Sequence, residues 1–514
     1  MRNERAWLAA LGAIILFGLA LRLVGIHNPI LDHPGWRQGD TAAIARNFAE
    51  LRFDVFYPQT DYDGPPPNYV ELELQIVPFV AALGYKLLGV HEIFGRLVSI
   101  AFSLGTVAVL AYFARWLFFS RLAGLCAAFL YAVFPGSVYY GRTFTPDGTM
   151  AFFLTASLFA GTWWLLRPTP RRIPAWGDVA CAGLLALAFL AKPVATLAVV
   201  PLLAVDYLRV DPRRALYQSR ALLLVVPAAA VLLLYLRYVG SHAEWHWASG
   251  ITEKHVLPSL LQALASPRAL LAKSTLLCTQ VSAMFATTIA GPAGFGIGAL
   301  AFAFMPRARS RTLLYAWLAA GIAYAFVVVT VERVDYYLFP LLPLAALAAG
   351  GFLAALWERA PRTVLHCAGV ALLAVAIVAD NEAQILPYYR YRHAVYAAAK
   401  SLDRRLAPDA LVVMAHYDPS VLYYINRKGW QEDPYLWTPF DEQSAIKKGA
   451  RYFIAVEGTR LRRNAELYAW LQRFPLLEPP GLWPVYETDY AKMLPGAEER
   501  WREFRRAEKT GSSR

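Results

Sequence analysis

Charged residues are scarce in this 514-residue chain: Asp, Glu, Lys and Arg together make up 17% of it, against 57% hydrophobic residues. Soluble domains carry about a quarter charged residues, so the deficit excludes an ordinary soluble protein. Cysteine is almost missing. Cys126, Cys181, Cys278 and Cys367 all lie inside apolar runs, which excludes a disulfide framework or a cysteine metal cluster and leaves small core residues. No internal repeat occurs, and with it the repeat signature of many transporters is absent. The nearest approach to a metal motif is "HAEWH" (242–246) with His255 beyond it. Its spacing is not that of a zinc-binding HExxH helix, and interfacial histidines are expected there instead.

What is present is a succession of apolar runs long enough to cross a bilayer. Eleven spans are read, at about 7–26, 95–118, 122–140, 147–166, 177–191, 193–208, 221–239, 278–304, 312–331, 336–357 and 363–379. The expected class is therefore an α-helical polytopic membrane protein. The first run follows Arg2 and Arg5 and has no small-x-small cleavage site before His27, so it reads as an anchored helix and not a signal peptide. The net charge of +13 suits cytoplasmic loops and anionic membrane lipids, not nucleic acid. "RLAG" (121–124), "RPTPRR" (167–172), "RVDPRRALYQSR" (209–220), "PRARSR" (306–311) and "ERAPR" (358–362) are all basic. Loops of the alternate set, such as 241–255, carry acids, histidines and tryptophans. An odd number of spans then places the N-terminus in the cytoplasm and the C-terminus outside, as in a bacterial inner membrane. "LQIVPFVAALGYKLLGV" (74–90) would invert that pattern if it spanned, so it reads as a helix on the outer face.

The expected domains are a transmembrane domain, 1–380, and an outer α/β domain, 381–514. The first contains an outer loop, 27–94, with amphipathic helices at about 40–52 and 71–89. In the second, "ALVVMAHYD" and "RYFIAVEG" read as strands, "PSVLYYINRKG" and "DEQSAIKKGA" as helices, and the end as a frayed charged tail.

Ionisable residues at span ends are costly and are functional candidates. On the outer face these are Asp40 in the first loop, Arg142 and Asp147 in "YYGRTFTPDGTM", Lys192 in "LAKPVA", and Glu332, Arg333 and Asp335 beside Tyr336 and Tyr337. Carboxylates and cations at headgroup depth suit the transfer of a sugar from a lipid phosphate to a hydroxyl. A carboxylate takes the proton and cations steady the departing phosphate.

The layout resembles the GT-C glycosyltransferases, and within them the branch of protein O-mannosyltransferases and lipid A aminoarabinose transferases. The likeness is carried by "FGRLVSIAFSLGTVAVLAYFARWLF" (94–118), "TPDGTMAFFLTASLF" (145–159), "LAKPVATL" (190–197) and "DYYLFPLLPLAALAAG" (335–350), in that order. It implies a polyprenyl-phosphate sugar donor, an acceptor lipid, glycan or protein outside the cytoplasm, and inversion at the anomeric carbon. It implies no cofactor, with a divalent cation at Asp40 and Asp147 as the alternative. In this branch the outer-loop helix usually opens with Asp-Glu; here those positions hold Arg37 and Gln38, and Asp40 falls where an arginine is common. Asp40 is then the expected base, with Glu73 and Asp147 as rivals, and Arg37, Arg142, Lys192 and Arg333 as the expected phosphate ligands. Trp36 and Tyr337 are expected against the sugar. Asp40 also has a structural reading, as an N-cap before "TAAIARNF". A lipid or glycan flippase is the alternative function.

Overall fold

The computed structural model describes residues 2–168, 175–207, 219–360 and 363–511. The basic loops read at 167–172, 209–220 and 358–362 lie wholly or partly outside these residues. The chain forms two compact units.

The first unit comprises Met1–His27, Glu71–His242 and His246–Tyr389. Among the described residues, eight helices are long and apolar enough to cross a membrane: Asn3–Arg22, Ile93–Leu117, Asp147–Leu165, Ala221–Gly240, Pro267–Ile289, Arg311–Val329, Asp335–Arg359 and Val364–Arg405. The expected runs at 122–140, 177–191 and 193–208 form shorter apolar helices, Arg121–Val133, Trp176–Ala191 and Pro193–Tyr207. Proline and glycine account for two differences from the expected spans. The run 122–140 breaks at Phe134, because Pro135 has no N–H to continue the ladder and starts a new short helix, Pro135–Tyr140. The run expected at 278–304 is two helices, because Gly291 takes φ 73° before Pro292, a conformation no helix interior accepts.

Buried polar groups in this unit include a well-satisfied arginine. Arg22 is fully buried, and its guanidinium donates to Ser103 Oγ (2.9 Å), Ser137 Oγ (2.7 Å) and the carbonyls of Gly18 (2.8 Å) and Ala132 (3.0 Å). Small residues allow close helix packing: a Cβ on Gly350 would lie 2.5 Å from the Ala127 nitrogen. The outer-loop run at 74–90 forms Ile76–Leu88, which buries Val77, Ala81, Ala82 and Tyr85 and exposes Leu87 and Leu88. Its 13 residues reach only about 20 Å at ~1.5 Å per residue, short of the ~30 Å hydrocarbon layer.

The second unit comprises Asn28–Val70, Ala243–Trp245 and Arg390–Arg514. Most of the first outer loop, residues 28–70, thus belongs to one compact unit with the C-terminal region. Four strands, β1 (Leu411–Met414), β2 (Lys428–Gln431), β3 (Ala450–Ile454) and β4 (Val485–Glu487), form a sheet in the order β2-β1-β3-β4. β2 and β3 run parallel to β1, and β4 antiparallel to β3. Val413, Phe453, Trp470, Phe474 and Tyr486 share its core. The helix read over "PSVLYYINRKG" stops at Asn426, which turns left-handed (φ 56°), and the chain re-enters the sheet as β2. Segment 61–64 adds to the edge of β2: Gly429 N donates to the Asp61 carbonyl (3.0 Å) and Gly64 N to that of Gly429 (2.8 Å). The expected frayed tail is a helix, Ala497–Gly511.

Candidate active site

In the second unit, helix Gly35–Glu50 presents the acid singled out in the sequence. It is polar, yet Arg37 through Phe48 are all buried. Its N-cap is Pro34, so Asp40 lies within the second turn and is not the cap. Close approach is what seats it there. Gly39 lies on the first turn of helix Pro419–Ile425, where a Cβ would fall 2.6 Å from the Ser420 nitrogen. Asp40 is 1% exposed, and its Oδ1 accepts the Tyr62 hydroxyl proton at 2.7 Å. Burial pushes its carboxyl up to about 7; Arg37 and the Tyr62 bond pull it down, and Asp418 and Asp63 add to the rise. The Tyr62 hydroxyl is pushed well above its ordinary value by burial and by Asp40, so it remains a donor.

A second carboxylate in this unit has a different task. Asp61 accepts from Arg46, Asn47 (3.0 Å) and Lys428 (2.5 Å). Although burial opposes it, Arg46 and Lys428 hold its carboxyl below the ordinary value. It ties the helix to β2 and stays ionised. Trp36 sits half-buried one residue before Arg37.

In the first unit, Asp147 opens helix Asp147–Leu165, and Lys192 ends helix Trp176–Ala191 as its extended C-cap. Lys192 Nζ meets Asp147 Oδ1 at 2.6 Å, with both residues buried. Lys192 Nζ also lies 5.0 Å and 5.1 Å from the ring centres of Tyr336 and Tyr337. Asp147 Oδ2 has no hydrogen-bond partner among the described residues. Arg142 is fully buried, donates to the Gly25 carbonyl (3.0 Å), and lies over the rings of Tyr139 (4.9 Å) and Tyr389 (4.5 Å). Asp335 accepts from the hydroxyls of Tyr140 (2.6 Å) and Tyr388 (2.5 Å). Glu73 is buried, and the neighbouring Leu74 N donates to the Leu190 carbonyl (2.8 Å), two residues before Lys192. Arg333 is exposed and donates to Gln280 (3.4 Å). An apolar cavity of about 450 Å³, lined by Leu277, Phe285, Phe302, Leu338 and Leu341, borders the segment that carries Tyr336 and Tyr337. The expected site residues therefore fall into two groups, one in each unit. Among the described residues, no three His, Cys, Asp or Glu side chains come together as a metal-ligand set.

The model of the dolichyl-phosphate-mannose-protein mannosyltransferase family matches residues 75–237. No curated protein matches the chain. Among solved structures, ArnT from Cupriavidus metallidurans bound to undecaprenyl phosphate is similar over 94% of this chain and 99% of its own, at 16% identity and a TM-score of 0.59. The archaeal oligosaccharyltransferase AglB from Archaeoglobus fulgidus, in complex with an inhibitory peptide and a dolichol-phosphate, is similar over 96% of this chain and 75% of its own, at 12% identity and a TM-score of 0.56.

The chain has the GT-C fold.

In this GT-C chain the residues that sequence reading missed are the ones that condition the acids. Tyr62 lies 22 positions from Asp40 and donates to it, and nothing in "TDYDG" marks it as more than a turn residue. Tyr140 and Tyr388, which hold Asp335, carried no signal in the sequence. Asp418 caps helix Pro419–Ile425, accepting from Ser420 N at 2.9 Å.

Proposed function

We propose that this GT-C protein is an inverting glycosyltransferase that moves a sugar from a polyprenyl phosphate to an acceptor hydroxyl on the outer face of the membrane. The observation that carries the reading is Asp40: a buried carboxylate poised to titrate near 7 and bound by one phenol. That is the range in which a general base both ionises and still accepts a proton readily.

Asp40 takes the acceptor hydroxyl's proton as that oxygen attacks C1 of the sugar, opposite the phosphate. The C1–O bond to the phosphate breaks, its electron pair stays on the polyprenyl phosphate, and the configuration at C1 inverts. In the first unit Lys192 and Arg142 are the cations offered to a lipid phosphate, and in the second unit Arg37 is. The apolar cavity beside Tyr336 and Tyr337 takes part of the polyprenyl chain. Asp147 holds Lys192 in place and keeps one oxygen for a donor hydroxyl or an ion. This reading needs no cofactor; a divalent cation bound by Asp147 is its variant. Glu73 is the second carboxylate, placed beside the backbone that leads to Lys192.

The test is product formation by purified protein in detergent, with radiolabelled polyprenyl-phosphate sugars and envelope extract, followed by NMR of the product's anomeric carbon. Transfer with inversion is the expected result. Retention of configuration, or lipid translocation without transfer, overturns the proposal.

A further inference from the structure

The small sheet has a topological switch point. From β1 the chain crosses to β2 on one side, and from β2 it crosses back over β1 to β3 on the other. In open parallel sheets, ligands bind in the crevice at the carboxyl ends of the strands where such a reversal occurs. Here that position is the carboxyl end of β1 and β3, where the backbones stay paired, Glu457 N donating to the Ala415 carbonyl (3.2 Å). Side chains line this edge: His416, just past β1, has Nδ1 2.6 Å from Oε1 of Glu457, just past β3. Arg460 lies 3.3 Å from Glu457 Oε2 and binds Asp433, just past β2, through Nε at 3.0 Å. This is a continuous row of planar polar side chains, open to solvent, across all three parallel strands. Two rings project beside it into solvent: Tyr417 is 74% exposed and Tyr435 is 58% exposed.

The chemistry of the row selects its ligand. Glu457 and Asp433 face Arg460 and the His416 ring, so the row offers no surplus positive charge to a phosphate, and among the described residues no three His, Cys, Asp or Glu side chains gather to hold a cation. Alternating planar donors and acceptors match the vicinal hydroxyls of a sugar, and exposed phenol rings stack on the C–H faces of pyranoses. The same loop leads to the proposed base: after His416 and Tyr417 it continues to Asp418 and to Ser420, on which Gly39 of the Asp40 helix rests.

We infer that the carboxyl edge of this sheet is a carbohydrate subsite, and that the acceptor of the proposed transfer is a glycan whose rings rest on Tyr417 and Tyr435 and whose hydroxyls bond to His416 and Glu457. The inference rests on the transferase reading above and names its acceptor class. A free glycan and a lipid-borne glycan present the same chemistry to this row.

The experiment is saturation-transfer NMR on the full-length protein in nanodiscs. The probes are chitobiose, a mannobiose, maltotriose and a short serine-containing peptide, with a lipid-linked chitobiose as a separate arm. Proteins compared are the wild type, Tyr417→Ala/Tyr435→Ala, His416→Gln and Asp40→Asn. The expected result is saturable binding of at least one oligosaccharide. It is lost in the double tyrosine variant, weakened at least tenfold in His416→Gln, and kept in Asp40→Asn. In transfer assays the tyrosine variant then raises the acceptor KM at least tenfold, with the loss falling on KM and not on kcat. Tighter binding of the lipid-linked arm than of the free sugar identifies a lipid-borne glycan; equal binding identifies a free one. Binding of the peptide alone, binding of no oligosaccharide, or binding that survives the tyrosine substitutions overturns the subsite. Two further outcomes separate the claims. Glycan binding lost on substitution, in a protein that transfers from no donor, keeps the subsite and defeats the transferase reading. Transfer with an unchanged acceptor KM in the tyrosine variant keeps that reading and defeats the subsite.

Discussion

Replacing Asp40 by asparagine is expected to abolish transfer and, at neutral pH, to stabilise the fold. Burial lifts the Asp40 carboxyl from its ordinary 3.8 to about 7. At ~1.4 kcal/mol per pH unit, keeping it ionised in the folded protein costs about 4 kcal/mol. Because the folded value lies above the unfolded one, the folded protein holds a proton that the unfolded chain has released. Stability contributed by this group is therefore fully present below about pH 4, falls as pH rises to about 7, and is flat above. Asparagine never ionises, and its side-chain carbonyl accepts the same Tyr62 hydroxyl that now lies 2.7 Å from Asp40. The stability difference between the two proteins is thus near zero at about pH 4 and grows to as much as about 4 kcal/mol by about pH 8, less whatever local relaxation recovers. Thermal unfolding followed by intrinsic fluorescence in detergent, across that pH range, reads it directly. A melting difference that does not change with pH refutes the reasoning, as does an asparagine variant that melts lower than wild type at pH 8.

Three other substitutions have defined outcomes. Tyr62→Phe removes a hydrogen bond to a charged group, worth about 1.5–3 kcal/mol. The pH midpoint of kcat/KM should move up by roughly 1–2 units, with about a 5- to 50-fold loss at pH 7; an unmoved midpoint in the pH–rate profile contradicts this. Lys192→Met strands a buried carboxylate at Asp147 and should destabilise by about 3–5 kcal/mol. Asp147→Asn/Lys192→Met should restore most of that stability without restoring transfer, which a double-mutant cycle by thermal unfolding and activity checks. Gly39→Ala puts a methyl 2.6 Å from the Ser420 nitrogen and must shift the Asp40 helix. Transfer should fall by about 10²-fold while circular dichroism is retained; wild-type kinetics would show that the helix position does not matter.

The membrane helices were legible in the sequence because an apolar run of bilayer length is stable in few settings besides a bilayer. Their ends were less so: Pro135 and Gly291–Pro292 break two runs that hydropathy alone joins. The outer-loop helix was read from residue 40, and begins at Gly35. That five-residue difference moves Asp40 from a helix cap into a buried second turn. β1 and β3 were read from "ALVVMAHYD" and "RYFIAVEG"; β2 was not, because "RKGWQ" lacks strand alternation and owes its place to the Asn426 turn and to pairing with residues 61–64. Asp40 and Lys192 were marked by their charge beside apolar sequence. Tyr62, Asp61 and Asp418 were not, since what each does depends on a partner brought close only by folding. The union of residues 28–70 with the C-terminal region is likewise a tertiary fact, with no local pattern to announce it.

The most direct measurement of the central claim is single-turnover transfer from a labelled polyprenyl-phosphate sugar, with wild type and Asp40→Asn compared at matched donor occupancy. The account predicts a rate at least about 10²-fold lower for the asparagine variant, with donor binding unchanged. Equal rates would contradict it and move the base away from Asp40.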